Sequence, residues 1–170
     1  MPMERKSFAN VECAIARATD QIGDAWSLLI LRTVFLGVRC FQDLAERLAV
    51  PDSTLARKLK VLCQDGLLKK VGYQEHPPRA EYLLTEKGSD LMPVLLCLAT
   101  WGNRWLSPAG APLQPVWIDT GEPLDIVLCD ARTGRQVLPG AIALTAGPGA
   151  SSALRAQLTQ PVVFGSLVAR

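Results

Sequence analysis

The segment from Ser53 to Arg79 gathers the residues best suited to hold an anion. Its bases are Arg57, Lys58, Lys60, Lys69, Lys70 and Arg79, and its acids are Asp65 and Glu75. Six bases against two acids leave +4, plus His76, in a chain whose formal net charge is only +2. After Leu106, four bases meet four acids and cancel. The positive charge is thus patterned onto one stretch, which points to a surface for a polyanion. Within it Ser53, Thr54, Arg57, Lys60 and Gln64 fall on one half of a helical wheel, with Lys58 at the flank. Leu55, Leu59 and Leu62 fall on the other half. Short hydroxyls, an amide and cations on one face suit the phosphates and base edges of double-stranded DNA. An ordinary amphipathic helix would also carry a polar face. The basic hairpin that follows favours DNA. It carries Lys69 and Lys70 on one arm, with His76 and Arg79 flanking Pro77-Pro78, and a rigid cationic tip can enter a minor groove or rest on a phosphate.

Other chemistries find little support. The five cysteines (Cys13, Cys40, Cys63, Cys97, Cys129) are odd in number, widely spaced and without a CxxC pair. His76, the only histidine, has no cluster of further ligands beside it, so neither a metal site nor a cofactor is expected. A thiol enzyme would need a base near its nucleophile, and the inventory offers none, so the chain is not expected to be an enzyme. The opening "MPMERKSFANVEC" lacks an apolar signal core, and "AWSLLILRTVFLG" is too short for a membrane span and contains Arg32. A cytoplasmic protein with reduced thiols and no membrane partner is expected.

The elements that must position the basic face follow from periodicity. Ile15, Ala18 and Ile22 mark a helix from Cys13 to Ile22. Asp24 is placed to cap a second helix through Phe35, stopped by Gly37; it is apolar on most sides and so central and buried. "VRC" suits a minimal strand. Phe41, Leu44, Ala45 and Leu48 define a third helix, and Asp52 or Ser53 caps a fourth through Gln64, ended by Gly66. Two strands, Leu68 to Tyr73 and Ala80 to Leu84, flank a loop from Gln74 to Arg79. Thr85 caps one last long helix through about Trp105, bent or irregular at Pro93, with an apolar stripe wider than one core needs. Cys63 and Cys97 read as small core residues, Trp26 as core, and Trp101 and Trp105 as core or interface. This order is that of a winged helix-turn-helix, mainly α with a small β-hairpin wing. After it comes the linker "SPAGAPLQP", then short strands from Val116 to Ala146 with turns at Thr120-Gly121 and Thr133-Gly134. We therefore expect a DNA-binding and dimerisation domain over 1–106 and a small strand-rich extension over 107–170.

The segments IGDAWSLLILR, L-x-x-L-x-x-DGLL, YQEHPPRAEYLLTEKG and WGNRW, in that order and spacing from Cys13 to Trp105, resemble the HxlR family of bacterial regulators, relatives of the MarR group. The resemblance implies a winged-helix homodimer, built mainly from its first and last helices, that binds a pseudo-palindromic operator as a transcriptional repressor. It also implies a thiol input at a cysteine just before the first helix, where Cys13 stands. Here Glu12 opposes thiolate formation and Ala14 replaces the usual proline. A small apolar or electrophilic effector is the corresponding partner. Long members sometimes bind zinc through cysteine pairs in the extension; with Cys129 alone, this one is not expected to. The competing reading is a winged-helix module that binds protein and not DNA, which would not need Arg57, Lys60 and Arg79 on one surface.

Overall fold

The computed structural model describes residues 7–74 and 79–165. The chain divides into two compact units, Met1–Ala99 and Thr100–Arg170.

In the first unit, α1 (Ala14–Ile22) and α2 (Ala25–Phe35) are separated by Gly23 and Asp24. Asp24 is the N-cap of α2 and accepts hydrogen bonds from the Ser27 backbone N–H (3.1 Å) and hydroxyl. As its all-round apolar sequence requires, α2 is the central helix: Ser27, Ile30, Leu31, Thr33 and Val34 are buried, and it touches α1, α3, α4 and the wing. Its buried hydroxyls are satisfied, Ser27 by Asp24 and Thr33 by the Leu29 carbonyl at 2.7 Å.

The helix-turn-helix proper is α3 (Phe41–Leu48), a turn over Ala49 and Val50, and α4 (Asp52–Gln64). Both helices end in the same closure. After α4, the Gly66 N–H reaches the Cys63 carbonyl and the Leu67 N–H the Leu62 carbonyl, with Gly66 at φ +69°. After α3 the Ala49 and Val50 N–H groups make the equivalent bonds to Glu46 and Ala45, but the left-handed residue is Ala49, φ +48°. The N-cap of α4 is Pro51 rather than Asp52 or Ser53. Proline fixes its own φ at −58° and makes no side-chain cap, while Asp52 enters the first turn, where a carboxylate complements the helix dipole.

The wing pairs β1 (Leu68–Gln74) antiparallel with β2 (Arg79–Leu84), in register from Leu68↔Leu84 to Gly72↔Ala80. One extra residue is then accommodated before Gln74↔Arg79. The strands thus run one residue further toward the tip than the sequence suggests. The expected minimal strand exists as one bridge, Cys40↔Glu81, beside a Tyr82 N–H to Arg39 carbonyl bond of 2.9 Å. The core beneath these elements is Ile30, Leu31, Val34, Leu44, Val50, Leu55, Leu59, Leu62, Leu67, Leu68 and Tyr82.

The expected single last helix is instead two. Thr85 caps a one-turn α5 (Glu86–Ser89), its hydroxyl accepting from the Gly88 N–H at 3.0 Å, and α6 (Met92–Leu106) starts after Asp90 and Leu91. Pro93 has no N–H to give and lies in the first turn of α6, so the break precedes it.

The second unit includes the C-terminal turns of α6. Val116 to Ala146 forms fewer strands than expected. Two turns, with Gly121 at φ +71° and Gly134 at φ +67°, are each closed by one bridge, Val116↔Pro123 and Cys129↔Gln136. Pro115 and Pro123 lack the donors a longer ladder needs. One true pair follows, β3 (Ile142–Leu144) with β4 (Val162–Phe164). Between them lies α7 (Ser152–Gln157), capped by Ser151 and steadied by Arg155, whose guanidinium donates to the Gly147, Pro148 and Ala150 carbonyls.

Candidate nucleic-acid interface

The site is built on α4. Leu55, Leu59 and Leu62 are 0 % exposed and seat the helix on the core. On the opposite side Ser53, Arg57, Lys60 and Gln64 are exposed, with Thr54 half-buried. Ser53 to Gln64 spans twelve residues, and the eleven steps between them rise about 16 Å along one stripe, enough to lie along a major groove.

The wing adds to this face selectively. Lys70 stands between two grooves. One, about 560 Å³, is shared with Lys60, Cys63 and Gln64 of α4 and with Tyr82. The other, about 490 Å³, is shared with Gln74, Arg79 and Tyr82 of the wing and with Cys40, Phe41 and Gln42 at the start of α3. Lys60, Lys70 and Arg79 are thereby brought onto one continuous surface. Lys69 is exposed but follows the strand alternation, so its side chain leaves the hairpin on the other side from Lys70. His76 lies outside the described residues.

Lys58 does not join the outward set. Its ammonium sits 2.7 Å from Asp24 Oδ1, and the two side chains are only 12 % and 24 % exposed. Burial pushes the Asp24 carboxyl up, but hydrogen bonds from Lys58 and Ser27 more than offset this and leave it below its ordinary value of 3.8. The wheel placed Lys58 at the flank of the polar face, and a flanking position is where a long side chain can fold back to an inward acid.

The lower end of α4 is held by the TEKG turn. The Lys87 ammonium donates to the Asp65 carbonyl at 2.7 Å, and the Thr85 hydroxyl to the Gly66 carbonyl at 2.6 Å. Gly88 is pressed so close to Leu67 that a Cβ there would lie 2.1 Å from its carbonyl oxygen. Asp24 was legible as a helix cap, but its ion pair, the groove positions of Gln42 and Gln74 and the Lys87 contact depend on segments distant in the chain and carry no local signal.

The thiols divide. Cys63 packs against the core as expected; burial pushes its pKa up, opposed by the charge of Lys70, so it is held as the thiol. Burial, and secondarily Cys63, also pushes the Tyr82 hydroxyl up. Cys97, expected in the core, is exposed on α6. Cys13 is exposed at the N-cap of α1. Trp26 packs against the core, while Trp101 and Trp105 are 54 % and 63 % exposed. Among the described residues no cluster of three or more His, Cys, Asp or Glu is placed to hold a metal, and no helix is long and apolar enough to cross a membrane.

A helix-turn-helix whose second helix turns a polar, cationic stripe outward, beside a cationic hairpin, defines a winged helix-turn-helix module of the DNA-binding class. Comparison with known proteins agrees. Residues 21–110 match the HxlR-like helix-turn-helix family. An uncharacterized helix-turn-helix-type transcriptional regulator of Mycobacterium tuberculosis is 37 % identical over 137 residues, covering 80 % of this chain and 87 % of the relative. Two solved structures align over their whole length. One is a candidate transcription factor of Pseudomonas aeruginosa, PA1374 (35 % identity, TM-score 0.63, 86 % of this chain and 100 % of that one). The other is a candidate transcription factor, PA1607 (28 %, TM-score 0.76, 84 % and 100 %). The chain belongs to the HxlR-like helix-turn-helix family.

Proposed function

We propose that this chain is a sequence-specific transcriptional regulator that acts in the cytoplasm as a homodimeric repressor on a pseudo-palindromic operator. The observation that carries the reading is the continuous surface of Ser53, Arg57, Lys60 and Gln64 with Lys70 and Arg79 across the α4–wing grooves. In it α4 reads base edges, and Lys70 and Arg79 hold the flanking phosphates. Residues 1–106 do the binding and pairing, with 107–170 as an accessory extension. Dimerisation is supported by α1 and α6, neither of which buries a residue in the single chain. On α6 the side chains of Val94, Leu98, Trp101 and Trp105 follow one another at helical spacing and are about half exposed or more. A second copy that covers them would set two α4 helices in successive major grooves, roughly 34 Å apart.

The test is binding of a fluorescent duplex from the chain's own upstream region under salt titration. Affinity falling steeply with salt, and a loss of roughly one counterion from the slope in Arg79→Ala, supports the reading. Salt-independent or negligible binding sinks it and favours the protein-binding module.

A thiol input is a second reading, favoured by the exposed Cys13 at the head of α1, within the proposed dimer face. A thiol-reactive or small apolar effector there would shift the two halves and release the operator. If diamide yields neither a Cys13-dependent dimer band on a non-reducing gel nor a change in DNA binding, that input is discarded.

A further inference from the structure

We infer that Asp24 and Lys58 form a positioning latch that sets the rotation of the reading helix α4, and that Lys58 acts on specificity without touching DNA. The inference rests on the DNA-binding reading above and deepens it.

Packing alone does not fix every degree of freedom of α4. Its buried contacts are Leu55, Leu59 and Leu62, one aliphatic stripe against the core. Aliphatic burial is strong but non-directional, so it fixes the depth of a helix better than its roll about its own axis. A roll of about 20° moves a side-chain tip 5–6 Å from that axis by about 2 Å, enough to take a donor out of hydrogen-bond range of a base edge. A directional contact to one side of the leucine stripe removes that freedom. The Lys58 ammonium, 2.7 Å from Asp24 Oδ1 at the head of α2, is such a contact and ties α4 to α2.

The acceptor is itself rigid. Asp24 caps α2 and takes the Ser27 N–H and hydroxyl while it takes Lys58, so its carboxylate cannot swing to follow a moving lysine. A phosphate-contacting lysine needs a free, solvated ammonium. At 12 % exposure and with a charged partner, Lys58 does not have one, in contrast to exposed Arg57 and Lys60 on either side of it.

The test compares wild type, Asp24→Asn, Lys58→Gln, Lys58→Arg and the Asp24→Asn/Lys58→Gln double variant. The binding target is the upstream duplex or a scrambled duplex of equal length, each titrated with salt. Asparagine caps as well as aspartate, so Asp24→Asn keeps α2, and circular dichroism checks that each variant is folded. We expect both single variants to weaken specific binding roughly tenfold, the scale of one charge-assisted hydrogen bond, and to leave scrambled binding and the salt slope unchanged. The double variant should be no worse than either single one, and Lys58→Arg should retain most of the specificity. The latch is overturned if Lys58→Gln lowers the salt slope by about one and weakens both duplexes equally, since that is the mark of a phosphate contact. It is equally overturned if Asp24→Asn, by freeing Lys58, tightens binding to both duplexes. Failure of the wild type to bind either duplex removes the DNA reading itself, a result distinct from any seen only in the variants.

Discussion

The two units of this chain are made of similar proportions of apolar sequence and use it differently. Every buried residue among those described lies between Ser27 and Gly88, in the first unit. From Thr100 onward no described residue is buried, and Trp117, Ile118, Leu128, Leu144 and Phe164 are each more than half exposed. The difference lies in periodicity, not hydrophobicity. In the first unit apolar residues recur at helical spacing and converge on α2. In the second they sit on turns and three-residue strands, which present side chains without a facing layer. The first unit thus has its own core, and the second is held by backbone turns and the Arg155 clamp.

That contrast can be broken or sharpened by experiment. The largest effect is expected in the core. Leu59→Ala should cost about 2–5 kcal/mol by chemical denaturation, whereas Leu144→Ala should cost less than about 1 kcal/mol. Similar losses at the two sites would show that the extension owns a core after all. Next come the glycines. Gly88→Ala forces a methyl onto the Leu67 carbonyl and should destabilise by about 2 kcal/mol or more, while Gly147→Ala, with open space around it, should fall within about 0.5 kcal/mol of wild type. Thermal unfolding of the pair decides between them.

A smaller effect is pH-dependent. The Asp24 carboxyl is lower in the folded chain than the ordinary 3.8, so the unfolded chain binds the proton more readily. The stability this lends is complete above that ordinary value and fades as pH falls through the lower folded one. Acid unfolding should therefore be shallower in Asp24→Asn than in wild type; identical acid limbs would mean that Lys58 does not hold the carboxylate. The smallest expected effect is a gain. Ala49→Gly relieves a left-handed alanine in the turn before α4 and should raise stability by about 0.5–1 kcal/mol. A loss there would show that the turn already fits alanine.

The sequence was most readable where one period governs a whole element. α2, α3 and α4 lie within a residue or so of their expected limits, because their apolar spacing and the breaks at Gly37 and Gly66 carry local signals. The outward stripe of α4 was readable for the same reason. The break before α6 was signalled by Pro93, though not its place at Asp90 and Leu91. The ion pair of Lys58 was not readable, because a helical wheel gives direction but not partners, and Asp24 lies thirty-four positions away in the chain. Cys97 was misjudged because an apolar neighbourhood on α6 does not say whether that face is covered. The extension was least readable, since strands of three residues carry too few alternations to fix a register.

The grip on the two ends of α4 has an evolutionary consequence. Ala49 and Pro51 before it, and Thr85, Lys87 and Gly88 beneath it, set where the helix lies. The side chains of Ser53, Arg57, Lys60 and Gln64 make no hydrogen bond or ion pair with another described residue, so the scaffold does not depend on their identity. If α4 reads the operator as proposed, substitution at these four positions alters the preferred sequence while the frame stands unchanged. A gene duplicate would then be a few point mutations, not a refolding, away from a new set of targets.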